Sequence, residues 1–301
     1  MSNAPIVAVV GATASGKSDL ALDLAERLGG EIINTDAMQV YRGMDIGTAK
    51  LPVAERRGIT HHLLDLLEVT EPATVAKFQD VARGLIADCR GRGVVPVLVG
   101  GSALYTRAIL DKFDFQPTDP EVRERLEAEL AEVGAGVLLA RLTELDPATA
   151  EIMGANPRRI VRALEVIELT GAPYASTLPE PTYADPDTVQ IGVDIDRAVS
   201  DARIAERVHA MWTAGFVDEV RDLEARGLRD GVTASRAIGY AQILQFLAGE
   251  ISEDEAREQT INRTRRFVRR QDGWFRKDPR IVWVDHDDPN RVEKAMNALR
   301  A

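Results

Sequence analysis

Apolar positions in the first hundred residues follow two periods, one typical of buried strands and the other typical of helices. Ile6–Val10 is an unbroken run of small and β-branched residues, which predicts a strand buried on both faces. Asp19–Leu28 has apolar residues three and four positions apart, which predicts a helix that ends at Gly29-Gly30. Glu31–Asn34 predicts a second strand, with the polar pair Thr35-Asp36 at its tip.

The same alternation recurs further along the chain. Val75–Arg90 and Ala103 to Leu110 are predicted helices on either side of a buried strand, Val94–Val99. Strands that alternate with helices predict an α/β fold, in which right-handed crossovers join parallel strands. The C-terminal third predicts a strand over Val189–Ile195, one long helix over Ala198–Arg226, a strand over Ile281–Val284 and a final helix.

Residues 116–187 have a different pattern. Eight of the 14 prolines lie between Pro117 and Pro186, and few runs in this segment resemble strands. Helical spacing instead predicts helices over Glu121–Val133, Val137–Leu145 and Pro157–Thr170, followed by a loop over Pro173–Pro186. We therefore expect a parallel-sheet core from residues 1–115 and 188–301, interrupted by a helical insertion over 116–187.

Composition excludes several classes of protein. The longest apolar run, Val94–Val99, is far shorter than the roughly 18–20 residues of a membrane helix. Met1–Ala4 carries no basic residue before the first apolar run, so we expect a cytoplasmic protein without a secretion signal. The single cysteine, Cys89, excludes an internal disulfide framework and predicts a buried, unused thiol.

Charge is distributed unevenly along the chain. The net charge of -11 argues against non-specific binding of nucleic acid through bulk charge. Residues 263–280, however, hold eight basic and two acidic side chains. Part of this asymmetry suits the dipole of one helix. Ser252 and Glu255 form a capping box, the acidic residues 253–255 lie at the positive end, and the arginines follow toward the negative end. Arg263, Arg266 and Arg270 nevertheless share one stripe, which predicts contact with a phosphate backbone.

The turn after the first strand carries the most specific motif. Its residues fit the pattern G-x-x-x-x-G-K-[ST] between a strand and a helix: Gly11, Ala12, Thr13, Ala14, Ser15, Gly16, Lys17 and Ser18. Backbone N–H groups in such a loop converge on phosphate oxygens at a helix N-terminus. The Lys17 side chain adds a cation, and the Ser18 hydroxyl can bind Mg²⁺. The sequence thus predicts a diphosphate or triphosphate ligand, against the alternative of a plain tight turn.

The position of the nearest acidic residue bears on the chemistry. Nucleotide-hydrolysing proteins with this loop usually carry an acidic residue at the tip of a later strand. Here the candidate strand ends in Gly100-Gly101-Ser102, which argues against an ATPase. Asp36 instead lies where the carboxyl edge of a parallel sheet opens toward a ligand. Two alternatives stay open, a small-molecule kinase that uses ATP and a nucleotide-binding regulator.

Eight segments together resemble the tRNA dimethylallyltransferases, also called tRNA isopentenyltransferases, over nearly the whole chain. They are GATASGKS at 11–18, NTDAMQVYRGMDIGTAK at 34–50, HHLLD at 61–65, VGGSALY at 99–105, DPEVR at 119–123, NPRRIVRALEV at 156–166, RIAERVHAM at 203–211 and SRAIGYAQ at 235–242. The resemblance implies a nucleotide-kinase-like P-loop core with a tRNA-binding helical insertion. It also implies transfer of a dimethylallyl group from dimethylallyl diphosphate to N6 of adenosine 37, with Mg²⁺ as cofactor.

The resemblance also implies roles for particular residues. The loop holds the diphosphate, with Lys17 as its cation, and Arg207 reaches it from the opposite side. Arg203 lies four positions earlier on the same predicted helix, so it also belongs to the diphosphate site. Asp36 is the expected general base, because a carboxylate can orient an amine N–H and accept its proton.

Contacts with the tRNA anticodon stem-loop are expected from several segments. The expected residues are Asp36, Ala37, Met38, Gln39, Ser102, Arg123, Arg158, Arg159, Ile160, Val161, Arg162, Arg236, Arg266 and Arg270. The Gln39 amide is suited to the edge of an adenine. Family members often have Ser in place of Ala37 and Thr in place of Ser102. His61-His62 lacks a third ligand at metal-binding spacing, so a structural role is expected there. No feature requires more than a monomer.

Overall fold

The computed structural model describes residues 4–112, 115–174 and 180–300. They divide into two compact units, one made of residues 4–112 and 183–300 and the other of residues 115–174 and 180–182. The second unit ends at residue 182, so residues 183–187, which the sequence analysis assigns to the insertion, belong to the first unit. Residues 175–179 of the predicted loop Pro173–Pro186, and residues 1–3 of the predicted N-terminus, lie outside the described residues.

The first unit is built on a parallel sheet. Its strands are β1 (Ile6–Val10), β2 (Gly30–Asn34), β3 (His61–His62), β4 (Val95–Gly100), β5 (Thr188–Asp194) and β6 (Ile281–Asp285). Their order across the sheet is β3-β2-β4-β1-β5-β6, and every neighbouring pair is parallel. All five residues of β1 are buried, because helices cover both faces of a parallel sheet. The predicted α/β fold is confirmed.

The helices of both units follow in chain order. Within the described residues they are α1 (Lys17–Leu28), α2 (Val75–Gly91), α3 (Ala103–Leu110), α4 (Pro120–Val133), α5 (Ala135–Leu145), α6 (Pro147–Met153), α7 (Pro157–Thr170), α8 (Arg197–Thr213), α9 (Phe216–Ala225), α10 (Tyr240–Leu247), α11 (Glu253–Phe275) and α12 (Arg291–Ala298). None of the described helices is long and apolar enough to cross a membrane.

The prediction of one helix over Ala198–Arg226 is wrong, because the chain forms α8 and α9 with a break between them. Gly215 adopts a left-handed backbone with φ of 96°, a conformation that few other residues take without strain. The break turns Phe216 into the core, where it is fully buried. Its ring packs edge-to-face against Trp212 and Tyr240, with centroids 5.3 and 4.9 Å away. Apolar periodicity alone gave no sign of this change of direction.

The second unit has its own small core. Leu126, Leu138, Leu142, Ile160 and Leu164 are buried together where α4, α5 and α7 meet. Pro120, Pro147 and Pro157 each occupy a first helical turn, where the missing N–H has no cost. The three helices that the sequence predicts in this segment are present. The sequence pattern missed α6.

The segments of the first unit that lead into and out of the second unit lie side by side. Asp111 forms an antiparallel bridge with Tyr183, and the Ala184 N–H donates to the Leu110 carbonyl at 2.8 Å. The Arg280 guanidinium donates to Asp111 at 2.7 Å and lies over the Tyr183 ring, 3.9 Å from its centroid. These contacts hold the two segments that flank the insertion together within the first unit.

Candidate active site

The phosphate loop connects β1 to α1. Gly16 has a left-handed backbone, with φ of 89°, immediately before the first turn of α1. The Ser15 hydroxyl is completely buried and has no hydrogen-bond partner among the described residues. A buried polar group without a partner is costly, and an anion in the loop is the group that would satisfy it.

Lys17 is the half-buried cation of this loop. Its Nζ donates to the Ala12 carbonyl at 3.3 Å. Burial, the strongest influence, lowers the pKa of Lys17 from 10.5 to about 8. The nearby Asp36 carboxylate acts in the opposite direction, and the Arg207 guanidinium lowers the pKa further. The site therefore has an excess of positive charge that a diphosphate would neutralise.

Two arginines of α8 approach the same loop. Arg203 Nη1 donates to the Ala14 carbonyl at 3.4 Å. Arg207 lies one turn later and part of its surface is exposed. Partial desolvation lowers its pKa, Asp19 opposes that shift, and the charge of Arg203 lowers the pKa further. The loop and α8 thus place three cationic side chains, those of Lys17, Arg203 and Arg207, around one small region.

Asp36 follows β2 at the carboxyl edge of the sheet. Its N–H donates to Asn34 Oδ1 at 2.9 Å, and its own Oδ1 accepts the Met38 N–H at 2.8 Å. Asn34 Nδ2 also donates to the Asp36 carbonyl at 3.0 Å and to the Leu63 carbonyl at 3.1 Å. These bonds fix the direction of the carboxylate while leaving Oδ2 without a hydrogen-bond donor from the described residues.

Two adjoining cavities meet beside these residues. The smaller, of about 190 Å³, is bordered by Lys17 and Ser18, and the larger, of about 430 Å³, by Asp36. Arg207 and Ala49 border both cavities. A cationic cavity suited to phosphate and a roomier cavity with a carboxylate at its wall therefore lie on either side of one arginine.

The larger cavity is lined mainly by apolar groups. Its wall includes Ala37, Met38, Ser102, Ile204, Val208, Met211, Phe216, Ile238, Tyr240, Thr260, Thr264 and Phe267. Arg236 and Arg270 also border it, and both side chains are exposed. An apolar cavity with a few polar groups and a basic rim suits a flat, partly apolar ligand attached to a polyanion.

Gln39 lies apart from its neighbours Ala37 and Met38. Its Nε2 donates to the Thr48 carbonyl at 3.1 Å, and the side chain borders the smaller cavity together with Lys17. The structure therefore places this amide on the side of Arg207 that faces Lys17, away from the cavity bordered by Asp36. Its proposed contact with the adenine edge stays a prediction.

The predicted RNA-binding arginines of α11 differ in their surroundings. Arg263, Arg266 and Arg270 are exposed, and Arg266 Nε donates only to the Asn262 carbonyl of its own helix, at 3.3 Å. Arg265 and Arg269 instead face Asp201. The stripe that the sequence predicts is therefore present on the surface of the first unit.

The predicted residues of the second unit fall into three groups. Arg158 and Arg159 are exposed at the start of α7, whereas Ile160 and Val161 are buried in the core of the unit. Arg123 and Arg162 donate to the buried Glu165 carboxylate at 2.5 and 2.9 Å. Within this unit, the exposed pair has the freest access to a ligand.

Sequence reasoning missed Glu219, which shapes the larger cavity. This carboxylate on α9 accepts the N–H groups of Asp45, Ile46 and Gly47, at 3.0, 2.7 and 3.2 Å, and the Tyr240 hydroxyl at 2.6 Å. Gly47 and Tyr240 border the cavity. In the sequence, Glu219 is indistinguishable from an ordinary surface residue of a helix. Its contacts with the cavity wall could therefore not be predicted.

Sequence reasoning also missed Gln271, which bridges two parts of the site. Its Oε1 accepts the Thr13 N–H at 3.0 Å, and its Nε2 donates to the Gly101 carbonyl at 2.8 Å. It follows a run of arginines that predicts a solvated helix face. The sequence feature that goes with this contact is the glycine at position 101. A Cβ there would lie 2.4 Å from Gln271 Nε2.

Two places bear on metal binding. The exposed Ser18 hydroxyl opens α1, and it is the type of oxygen that Mg²⁺ accepts together with phosphate. Elsewhere, Glu31, His62 and Cys89 bring possible ligand atoms within 4.8 Å of one another. Arg92 already donates to both Glu31 oxygens at 2.8 Å. Burial, followed by the Glu31 charge, raises the pKa of Cys89 to about 11, so this thiol is a poor metal ligand.

Known proteins resemble this chain over most of its length. Residues 39–278 match the family model for IPP transferase. A tRNA dimethylallyltransferase of Nocardioides sp. is 65% identical over 298 residues, 99% of this chain and 96% of that protein. A tRNA isopentenylpyrophosphate transferase of Bacillus halodurans superposes with a TM-score of 0.72 at 39% identity, over 98% and 94% of the two chains. A eukaryotic dimethylallyltransferase acting on tRNA superposes with a TM-score of 0.78 at 25% identity, over 95% and 74%.

Proposed function

Because the chain belongs to the IPP transferase family, whose members include tRNA dimethylallyltransferases, we propose that it transfers a dimethylallyl group from dimethylallyl diphosphate to N6 of adenosine 37 in tRNA. The observation that carries this proposal is the pair of adjoining cavities at Arg207, one bordered by Lys17 and the other by Asp36. In this arrangement, the diphosphate occupies the cationic cavity and the nucleobase reaches the carboxylate.

The phosphate loop stabilises the leaving group. As the bond between the allylic carbon and the diphosphate oxygen breaks, negative charge grows on the diphosphate. Fixed donors aimed at developing charge lower the barrier more than they stabilise the ground state. Loop N–H groups, the Lys17 ammonium and the Arg207 guanidinium fill this role. Mg²⁺ held at the Ser18 hydroxyl would supply further neutralisation of the diphosphate.

Asp36 acts on the nucleophile. The exocyclic amine of adenine is a weak nucleophile, and one of its protons must leave as the new N–C bond forms. Asp36 Oδ2 is free to accept that proton, because the bond from Met38 occupies Oδ1. In the transfer step one C–O bond breaks, one N–C bond forms, and one proton moves from N6 to the Asp36 carboxylate. Diphosphate leaves with the electron pair of the broken bond.

The larger cavity receives the base. A stacked base cannot present its amine to a carboxylate inside a protein, so adenosine 37 must leave its stack. A mainly apolar cavity of about 430 Å³ with Ser102 at its wall suits a flat base beside an allylic chain. The exposure of Arg236 and Arg270 at its rim, and of Arg266 one turn before Arg270 on α11, supports contact of these side chains with phosphates near that base. Because tRNA is the acceptor, the proposed place of action is the cytoplasm, and a monomer is sufficient.

The direct test is incubation of the protein with an anticodon stem-loop RNA and labelled dimethylallyl diphosphate in the presence of Mg²⁺. Nucleoside mass spectrometry of the digested RNA should show dimethylallyl-adenosine, and an RNA with guanosine at the target position should show none. Thermal-shift measurements add a control, since dimethylallyl diphosphate should stabilise the protein and ATP should not. Stabilisation by ATP alone, without prenyl transfer, would contradict the proposal and favour a kinase.

A further inference from the structure

Gln271 is a buried polar side chain that joins the phosphate loop to the end of a neighbouring strand. It is 6% exposed and lies near the C-terminus of α11. Both polar atoms of its amide form hydrogen bonds within the site. The oxygen accepts from the Thr13 N–H at 3.0 Å, and the nitrogen donates to the Gly101 carbonyl at 2.8 Å. Gly101 follows β4 and precedes Ser102, which borders the larger cavity.

Apolar packing supports the same connection. Val268, one turn before Gln271, is buried in a small cluster with Ala12, Ala14 and Ile204. The outer side of the phosphate loop therefore rests on α8 and α11. Packing holds the phosphate loop against these helices. The two hydrogen bonds of Gln271 are directional, and they fix the position of the loop at Thr13 relative to Gly101.

The close approach of Gln271 to Gly101 depends on the absence of a side chain there. A Cβ on Gly101 would lie 2.4 Å from Gln271 Nε2, well inside contact distance. It would also lie 3.4 Å from the Gly11 carbonyl of the phosphate loop. The two glycine-containing turns, after β1 and after β4, thus pack closely with the Gln271 amide between them.

We propose that Gln271 is a positioning residue, which sets the distance between the diphosphate loop and the strand end that carries Ser102. This inference rests on the proposed function for its meaning in catalysis. It rests on the geometry alone for its effect on diphosphate binding. A loop that loses this bridge presents its N–H groups less well to the diphosphate, and a misplacement of about 1 Å can reduce a rate roughly 100-fold.

Two substitutions of Gln271 separate its two bonds. Gln271→Leu removes the donor and the acceptor at nearly constant volume. Gln271→Glu keeps the acceptor for Thr13, but its ionised carboxylate cannot donate to Gly101. The matched control is Gln79→Leu on α2. Gln79 is also 6% exposed, and its Nε2 donates to the Ala108 carbonyl at 2.5 Å. Gln79 borders neither of the two cavities.

The measurements are the affinity for inorganic diphosphate by calorimetry and the steady-state constants for both substrates. Gln271→Leu should weaken diphosphate binding roughly tenfold and lower kcat/KM for dimethylallyl diphosphate roughly 10- to 100-fold. KM for the anticodon stem-loop should stay within about twofold of the wild type, because no phosphate contact of the RNA is removed. Gln79→Leu should keep wild-type kinetic constants even if its Tm falls.

Gln271→Glu supplies a readout that a merely structural role would not change. When its carboxyl group is protonated it regains the donor to Gly101, so its kcat/KM relative to wild type should rise as the pH falls. A ratio that does not depend on pH would overturn the inference, as would wild-type diphosphate affinity in Gln271→Leu. A loss confined to KM for the RNA would also overturn it, in favour of a direct RNA contact.

The same data separate this inference from the proposed function. If the wild type transfers no dimethylallyl group, the proposed function fails, whatever Gln271 does. Weaker diphosphate binding by Gln271→Leu would then still support the positioning of the loop. If the wild type is active and Gln271→Leu matches it in every constant, the inference fails and the proposed function stands.

Discussion

The Asp36 carboxylate acts electrostatically on the Lys17 ammonium group, although the two side chains border different cavities. Asp36 raises the pKa of Lys17, whereas burial and Arg207 lower it to about 8. The group that would accept the proton of the nucleophile and the group that would stabilise the leaving diphosphate are therefore coupled before any substrate binds.

Replacing Asp36 by asparagine should remove the proposed base while keeping the shape of the site. Asp36→Asn is expected to lower kcat roughly 10²- to 10⁴-fold, which is the usual contribution of a general base. Diphosphate affinity should change little when it is measured at about pH 6, where Lys17 stays charged even without the influence of Asp36 and the phosphate loop is intact. Single-turnover kinetics with labelled dimethylallyl diphosphate would measure the effect.

The control for this variant is Asp23→Asn, on the exposed side of α1, where Asp23 pairs with Arg57 at 2.8 Å. It should retain wild-type turnover. If Asp36→Asn also turns over at nearly the wild-type rate, another group accepts the proton.

The lowered pKa of Lys17 predicts a pH-dependent affinity for the diphosphate. Below about 8 the side chain is charged and binds an anion well, and above it the free protein loses that charge. Affinity for a non-reactive diphosphate analogue should therefore fall as the pH rises through about 8. Calorimetry from pH 7 to 9.5 would show the decline.

Lys17→Met is the reference for this experiment, because it has no charge to lose while the ionisation of the ligand stays the same. The difference in binding free energy between wild type and variant should shrink above pH 8. A difference that is constant across the range would show that Lys17 stays charged throughout.

The exposed stripe on α11 predicts a salt-dependent contribution to RNA binding. Arg266 makes no ion pair with any described residue, so its charge is available to a phosphate. In Arg266→Ala, the slope of log affinity for the stem-loop against log salt should become shallower by roughly 0.7 to 0.9. Filter binding at several salt concentrations would measure the slope.

Arg221→Ala is the matched control, since Arg221 on α9 is exposed and, among the residues that the structure describes, pairs only with Asp218, at 2.6 Å. Its removal subtracts the same charge at a place that borders neither cavity. Equal slopes for Arg266→Ala and wild type would remove the α11 stripe from the RNA interface.

Glu165 predicts a stability effect confined to the second unit. Burial alone would raise its pKa, but hydrogen bonds from Thr118, Arg123 and Arg162 lower the pKa to about 2. Because the folded pKa lies below the ordinary value, its stabilising contribution is complete above about 4.5 and is lost as the pH falls toward 2. Glu165→Gln should cost on the order of 2 kcal/mol, since the neutral amide weakens the charge-assisted hydrogen bonds of two arginines that stay partly exposed.

Hydrogen exchange in the full-length chain would locate this loss. Amides of α4 and α7 should exchange faster in Glu165→Gln, whereas those of β1 should not change. The control is Glu168→Gln, whose exposed partner is Arg125, and it should cost less than about 1 kcal/mol. Unchanged protection in α7 of Glu165→Gln would contradict this account of the unit.

Local patterns predicted most of the sheet, the phosphate loop and Asp36. A buried strand and its glycine-containing turn are specified by neighbouring residues, so β1 and the loop follow directly from the sequence. Gln271 and Glu219 were missed because their roles arise from packing between distant segments. The bond from Thr13 to Gln271 spans 258 positions, and no local pattern distinguishes Gln271 from a solvated residue. The break at Gly215 was missed for a related reason, since apolar spacing continues across it while the chain changes direction.

The bridge between Asp111 and Tyr183 has an evolutionary consequence. An inserted segment whose two attachment points already touch can be lengthened, shortened or exchanged at little entropic cost to the unit in which those points lie. Changes of length or sequence can then accumulate between these anchors while the phosphate loop and Asp36, which lie in the other unit, are inherited unchanged.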